Sequence, residues 1–208
     1  MKLGNAVLLG GASVTGASAA AGGYYALKPK GITIKEELQN RRFISESDTA
    51  QWDEEFKSDK ENIKAVIKEL SGVDDKDGGI KLRDWCSKQM ILEARKYSES
   101  LELVRKYCLI RDLASQLLRK GKTLLTSDSS SEDWSNTYKY RKSKSTSRAD
   151  VGLNDQWASD PNTQETKDLE IIKAWCLKTS GEEFLASDKD AKYDKLHKWC
   201  TKEGKSVD

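Results

Sequence analysis

Apolar residues recur along most of the chain at spacings of three and four, which is the pattern of amphipathic helices. Ile63, Val66, Ile67 and Leu70 form one such stripe, and Gly72 follows it as a helix stop. The 208 residues include only 2 prolines, so few positions break a helix. The pattern therefore predicts an all-α fold.

Capping residues and turn signals give the expected bounds of the helices. They predict a helix begun at Asp48 or Thr49, one over 80–97, one from Leu101 to near Gly121, a short one around Trp134, one begun at Asp160-Pro161, and one begun at Ser187 or Asp188.

The amino-terminal segment differs from the rest of the chain. Residues 3–27 carry no charged side chain, although 34% of all residues are charged. A helix of this length, at about 1.5 Å per residue, would cross a bilayer core of about 30 Å. Its glycines and short apolar stretch leave three interpretations open: a cleaved signal peptide, a Gly/Ala/Ser-rich tail, or an uncleaved single-pass anchor, which we favour.

The strongest signal is an internal repeat. Every cysteine directly follows an aromatic residue, as Trp85-Cys86, Tyr107-Cys108, Trp175-Cys176 and Trp199-Cys200. A Trp-x-x-x-aromatic step precedes each pair of cysteines. Equivalent landmarks are 82, 90 and 92 residues apart, which predicts a tandem duplication of a helical unit of about 85 residues.

The repeat sets the expected domain organisation. We expect a signal-anchor or transmembrane leader over 1–30, a first helical module over 31–122, a Ser/Lys-rich linker with a short helix over 123–148, and the remainder of a second helical module over 149–208.

The cysteine spacing predicts the disulfides Cys86–Cys108 and Cys176–Cys200. If each pair lies on a helical hairpin with its turn midway, both thiols reach the same level, within the Cα separation of about 4.4–6.8 Å that a disulfide needs. Reduced core cysteines, the other connectivities and a four-cysteine zinc site remain alternatives, although the chain contains no Cys-x-x-Cys pair.

Aromatic residues are expected to anchor the two small cores, because they bury large apolar areas. The expected anchors are Trp52, Phe56, Trp85, Tyr107, Trp134, Tyr138, Trp175 and Trp199.

Composition and motifs argue against several functions. The 36 Lys and Arg residues nearly balance 34 Asp and Glu residues, unlike a protein that coats nucleic acid. The single histidine, His197, excludes a site built on several imidazoles, and no phosphate loop or nucleophile elbow is present. The basic stretch 138–148 is interpreted as an exposed linker, and 73–84 as a solvated turn rather than a calcium loop. We expect no enzyme activity, cofactor, metal, nucleic acid or small-molecule substrate.

The start Lys2-Leu3-Gly4, the uncharged stretch ending in Gly22-Gly23-Tyr24-Tyr25, and the aromatic-cysteine pairs resemble the large paralogous sets of uncharacterised proteins in haemotropic mycoplasmas. The segments 82–87 and 104–108 are the most similar. The resemblance implies a small membrane-tethered protein, one of many variants, displayed to the host. It carries no catalytic residue.

We therefore expect a non-enzymatic surface protein, anchored in the cell membrane by its amino-terminal segment, that interacts with a host component or varies antigenically. The alternative is a membrane-tethered cytosolic adaptor for another bacterial protein. Basic residues that follow the leader, such as Lys28, Lys30 and Lys35, favour the adaptor under the positive-inside rule.

Overall fold

The structure of the protein is a computed structural model that describes residues 31–153, 156–157 and 161–208, with the backbone alone at 161–163. These residues form an all-α fold, as predicted. The expected leader over 1–30 and the expected helix cap at Asp160 lie outside the described residues. No helix within the described ranges is long and apolar enough to cross a bilayer.

The α-helices, in chain order, are α1 (Ile34–Glu37), α2 (Thr49–Ser58), α3 (Lys60–Val66), α4 (Gly78–Met90), α5 (Ser98–Tyr107), α6 (Leu113–Arg119), α7 (Ser131–Ser143), α8 (Pro161–Ser180) and α9 (Ala191–Cys200). Short 3₁₀ segments cover Lys68–Leu70, Arg148–Val151, Ala186–Asp188 and Lys202–Ser206.

Side-chain caps fix where the helices begin. The Asp48 carboxylate accepts the backbone N–H of Gln51 at 3.1 Å, which confirms the predicted start of α2. Asp112 caps α6 in the same way, accepting the N–H of Ser115 at 2.7 Å. Both caps satisfy amide groups that a helix leaves without an internal partner.

The buried apolar side chains form two clusters that divide between Ile110 and Leu113. The first cluster is built from residues up to Ile110, and the second from Leu113 onward. We call residues 31–110 the first half and residues 111–208 the second half.

The two halves make the same pairs of antiparallel backbone bridges. The matching bridges are Thr33 with Glu93 and Asp112 with Glu183, and Phe43 with Leu109 and Leu124 with Thr201. In each half the second bridge includes an N–H that donates to the carbonyl of the second cysteine, from Ile44 to Cys108 at 3.0 Å and from Leu125 to Cys200 at 2.7 Å. The two backbones are therefore arranged alike around their disulfides.

The prediction of one helix from Leu101 to near Gly121 is wrong, because a non-helical break separates α5 from α6. In this break, Ile110 N–H donates to Arg42 O and Phe184 N–H donates to Arg111 O, both at 2.8 Å. These hydrogen bonds hold the backbone in an extended conformation where the chain passes from the first core to the second. The apolar periodicity continues through the break because residues on either side are buried in different cores.

The stretch 123–148, expected as a Ser/Lys-rich linker with a short helix, does contain a helix but is largely part of the second core. It contains α7, a helix of 13 residues. Trp134 and Tyr138 on this helix are 2% and 1% exposed. Because the second core already begins at Leu113, the second half starts before the residue where the sequence placed the end of the first module.

Some predicted helix details also differ. Ile63 and Ile67 of the predicted stripe are buried, but Val66 is exposed because the α-helix ends there. Helix α4 ends at Met90 instead of residue 97, and the last helix begins at Ala191 instead of residue 187 or 188.

Candidate functional site: an apolar groove in the second half

The two disulfides close the hairpins of the two halves. Cys86 bonds to Cys108 with their Cα atoms 5.9 Å apart, and Cys176 bonds to Cys200 at 5.7 Å. The predicted pairing is thus the pairing in the structure. In the described part of the chain, no group of three or more His, Cys, Asp or Glu residues is arranged to hold a metal ion.

Most of the expected aromatic anchors are buried. Seven of the eight are at most 7% exposed: Trp52, Phe56, Trp85, Tyr107, Trp134, Tyr138 and Trp199. Trp175 is the exception, being only partly buried against the second core. The two equivalent indoles donate to matching backbone carbonyls, Trp52 to Ser45 at 2.8 Å and Trp134 to Thr126 at 3.3 Å.

A buried charged cluster, which the sequence did not reveal, joins the two halves. The Glu55 side chain on α2 is 1% exposed and forms ion pairs with Arg111 and Arg119 of the second half. Arg119 Nη1 lies 2.7 Å from Glu55 Oε1. Both guanidinium groups also donate to Ser58 Oγ, at 3.0 and 3.1 Å. The Glu55 carboxylate therefore pairs with both buried cations at the junction, and Arg119 Nε also lies 4.0 Å from Asp59 Oδ2.

The electrostatics of this junction explain why it needs the carboxylate. Burial lowers the pKa of Arg111 to about 9, and the positive charge of Arg119 acts in the same direction. Burial also lowers the pKa of Arg119. With a pKa of about 9, Arg111 still carries its proton at neutral pH, and buried guanidinium groups are costly unless they are paired.

A glutamine on the same helix holds a loop of the second half. Gln51 Nε2 donates to Phe184 O at 3.1 Å, and Gln51 Oε1 accepts Ala186 N–H at 2.7 Å. Phe184 belongs to the second core, whereas Leu185 packs against the first. One face of α2 therefore contacts the second half at two places, through Gln51 to the backbone of Phe184 and Ala186 and through Glu55 to the two arginines.

The equivalent face of α7 holds the carboxyl-terminal segment instead. Thr137 and Arg141 follow Trp134 by three and seven residues, as Glu55 and Asp59 follow Trp52. Arg141 is 1% exposed and donates to Gly204 O at 2.9 Å and to Val207 O. Residue 141 was expected in an exposed basic linker, but its buried guanidinium holds the segment around Gly204 and Val207 against α7.

A second buried ion pair lies inside the second half. Arg148 Nη2 donates to Asp168 Oδ1 at 3.0 Å, and the Tyr138 hydroxyl donates to Asp168 Oδ2 at 2.7 Å. Burial and the adjacent Asp168 carboxylate raise the pKa of Tyr138, so the phenol keeps its proton. Phe56 stands in place of Tyr138 in the first half, packed against Gly78.

The most site-like feature of the described surface is a groove of about 280 Å³ beside the second disulfide. We call it the Trp134 groove. Its walls come from α7, α8 and the segment before α7, and they are mainly apolar: Leu124, Leu125, Trp134, Ala174, Cys176 and Leu177. Its remaining lining residues are Thr126, Ser127, Lys173 and Ser180. A half-open, mostly apolar cleft with a few polar groups is typical of a binding site for a small molecule.

A second depression shares Leu124 with the groove. It has a volume of about 340 Å³ and includes Ala114, Leu118 and Lys122 among its lining residues. One leucine of each lining, Leu118 in the depression and Leu177 in the groove, is 76% and 79% exposed, respectively. Large aliphatic side chains with this exposure form an apolar surface open to solvent.

The equivalent surface of the first half is polar. Asp84 and Ser87 occupy the positions relative to Cys86 that Ala174 and Leu177 occupy relative to Cys176. Arg83 donates to Asp84 Oδ1 at 2.8 Å, and Ser87 Oγ donates to Glu46 Oε1 at 3.3 Å. The apolar groove is therefore a property of the second half alone and not of the shared helical frame.

The chain matches no family model, no curated protein and no solved structure.

Sequence reasoning missed both the junction and the groove. Glu55 and Arg119 are 64 residues apart, and neither belongs to a motif. The groove did leave a signal, because aligning the two halves on their cysteines places Ala174 and Leu177 opposite the polar residues Asp84 and Ser87. Ala174 and Leu177 are both exposed, so this exchange adds apolar surface that is open to solvent.

Proposed function

We propose that this protein is a non-enzymatic, membrane-anchored binding protein whose helical part faces the outside of the cell. The observation that carries the proposal is the disulfide bonding of both halves. Reducing compartments rarely keep structural disulfides, whereas exported proteins depend on them. The uncharged segment over 3–27 supports an anchor, although its structure lies outside the described residues.

We further propose that the two halves are tandem copies of one helical module. Matching disulfides, backbone bridges and indole hydrogen bonds support this. The buried frame is alike in the two halves, while equivalent positions outside it, such as the half-buried Ser87 and the exposed Leu177, differ in polarity. A constant frame with divergent surfaces suits a binding or antigenically variable protein, which is also what the resemblance to the mycoplasma protein sets implies.

A cytosolic adaptor remains the second candidate, because specific residues favour it. Lys28, Lys30, Lys35, Arg41 and Arg42 follow the uncharged segment, and positive residues tend to stay in the cytoplasm. Long domains are often translocated regardless of such charges, so the disulfides carry more weight.

Counting free thiols in protein taken directly from cells separates the two candidates. Because all four cysteines are buried, the cells are lysed straight into denaturant that contains an alkylating reagent and no reductant, and the protein is then weighed by mass spectrometry. The surface protein gives no alkylated cysteine and two intact disulfides, whereas the cytosolic adaptor gives four alkylated cysteines.

Protease treatment of intact cells tests the orientation directly. We expect loss of the helical part from unpermeabilised cells, with a known cytosolic protein left intact as the control. Protection until the membrane is opened would contradict the outward orientation.

A further inference from the structure

The Trp134 groove combines an apolar floor with a cation at its rim. We propose that it binds a medium-chain aliphatic carboxylate, a free fatty acid, with the alkyl chain between Trp134 and Leu177 and the carboxylate at Lys173. This assigns a ligand class to the proposed binding protein and therefore rests on that proposal. The groove itself is defined by geometry that does not depend on membrane orientation.

The dimensions and lining of the groove suit an alkyl chain. Its volume of about 280 Å³ is close to the lower end of small-molecule sites, which begin near about 300 Å³. Trp134 is 2% exposed and forms a rigid inner wall, while Leu177 is 79% exposed at the mouth. An alkyl chain in this cleft would cover the aliphatic surface that Leu177 now presents to water.

Lys173 provides the charge complementarity. Its ammonium lies 5.5 Å from the centre of the Trp134 ring, so it stands at the groove. Among the described residues, no carboxylate lies within 4.0 Å of this ammonium, whereas the equivalent Arg83 of the first half is paired with Asp84 at 2.8 Å. The groove thus has a cation where the first half has a neutralised pair.

The backbone around the groove favours an alkyl chain over a peptide. Leu125 N–H is bonded to Cys200 O at 2.7 Å, Thr126 N–H to Ser129 Oγ at 2.9 Å, and Thr126 O to the Trp134 indole at 3.3 Å. A peptide would bring its own N–H and C=O groups beside these three backbone groups, which already have partners. A hydrocarbon chain needs no such partners.

The test is a titration of the oxidised full-length chain in lipid nanodiscs with decanoate, the free concentration being fixed by dialysis. The readout is the indole N–H resonance of each tryptophan. We expect a saturable shift of Trp134 and no shift of Trp52, whose indole makes the equivalent hydrogen bond in the first half. Octanoate should bind more weakly, by up to about fourfold for each methylene lost from the groove.

Head-group specificity is tested with decyltrimethylammonium, which has the same chain and the opposite charge. We expect it to bind several-fold more weakly than decanoate. Lys173→Glu should weaken decanoate by up to about fivefold and reverse this preference, while Lys178→Glu on the same helix should change neither.

The apolar lining of the groove is tested by replacing two of its residues with the polar residues found at the equivalent positions of the first half. Ala174→Asp with Leu177→Ser should weaken decanoate at least tenfold, and because both positions are exposed, unfolding should remain unchanged. Absence of a saturable Trp134 shift, equal binding of both head groups, or unaltered binding by this variant would overturn the assignment. Because the titration uses purified oxidised protein, these outcomes leave the thiol and protease tests of surface exposure untouched.

Discussion

The two halves of the molecule use one helix face for two different purposes. On α2 this face presents Glu55 and binds arginines of the second half, whereas on α7 it presents Thr137 and Arg141 and binds the chain end. The comparison shows that equivalent helix faces pack against different segments, which are residues of the second half in one case and residues near Gly204 and Val207 in the other.

Breaking the junction should have the largest effect. Glu55→Ala leaves Arg111 and Arg119 buried without their shared carboxylate, which should cost about 3–5 kcal/mol of unfolding free energy. Urea unfolding followed by circular dichroism measures this. The control is Glu61→Ala, whose side chain is 86% exposed and whose loss should change stability by less than about 0.5 kcal/mol. Equal effects of the two substitutions would show that the cluster does not hold the halves together.

Removing the disulfides compares the halves directly. Cys86→Ser with Cys108→Ser, and Cys176→Ser with Cys200→Ser, should each cost about 3 kcal/mol, because the loops closed are of similar length. Thermal unfolding in the oxidised state provides the measurement. If the charged junction couples the halves, either double variant should lower a single shared transition. Two separate transitions, of which each variant lowers one, would contradict that coupling.

The halves also differ in the contact between the aromatic anchor on α2 or α7 and the helix that carries the first cysteine, α4 or α8. Gly78 precedes Cys86 by eight residues, as Asp168 precedes Cys176, and it faces Phe56 where Asp168 faces Tyr138. A Cβ at Gly78 would lie 2.1 Å from the Phe56 ring. In the first half, the ring of Phe56 packs on Gly78 and joins α2 to α4. In the second half, a hydrogen bond between Tyr138 and Asp168 joins the equivalent helices α7 and α8.

Gly78→Ala should therefore overpack the first half and cost about 1–3 kcal/mol, measured by urea unfolding. Gly72→Ala is the control, because a Cβ there meets no atom within 4 Å and the substitution should be neutral or mildly stabilising. A second substitution, Phe56→Leu, should recover part of the loss in a double-mutant cycle. Additive effects of the two substitutions would argue against the contact.

The sequence predicted those features that have a local signature. Each aromatic-cysteine pair places a large side chain and a thiol on adjacent positions of one helix, and matched spacing then brings the thiols together. The N-cap of α2 was equally readable, because Asp48 stands directly before an apolar period. These features depend on contacts within one helix or one hairpin.

Features that depend on packing between distant segments were not predictable. Arg119 has the sequence context of a solvated residue at a helix end, and only the break between α5 and α6 turns it toward Glu55. Likewise, periodicity runs from Val104 through Leu117 without marking that the two residues are buried in different cores. An apolar spacing identifies a buried face but not the surface that buries it.

The smallest expected effect comes from His197, which lies three residues before Cys200, where the first half has Arg105 before Cys108. Partial burial, assisted by the charge of Lys122, lowers the pKa of His197, so the folded state favours the neutral imidazole. The unfolded chain binds its proton with a pKa near about 6.5, so this contribution to stability is complete above that pH and declines as the pH falls through 6.5 toward the folded pKa.

His197→Gln should remove this part of the pH dependence, as measured by the difference between urea midpoints at pH 7.5 and pH 5.5. Arg105→Gln is the matched control, since it makes the equivalent substitution in the first half at an exposed side chain and leaves the imidazole in place, so the dependence should be unchanged. Carboxylates whose pKa is lowered, such as Glu203, act with the same sign at lower pH and are common to all three proteins. A dependence that persists in full in His197→Gln would mean that the imidazole is equally solvated in both states, and the halves would then not differ in their response to pH at this position.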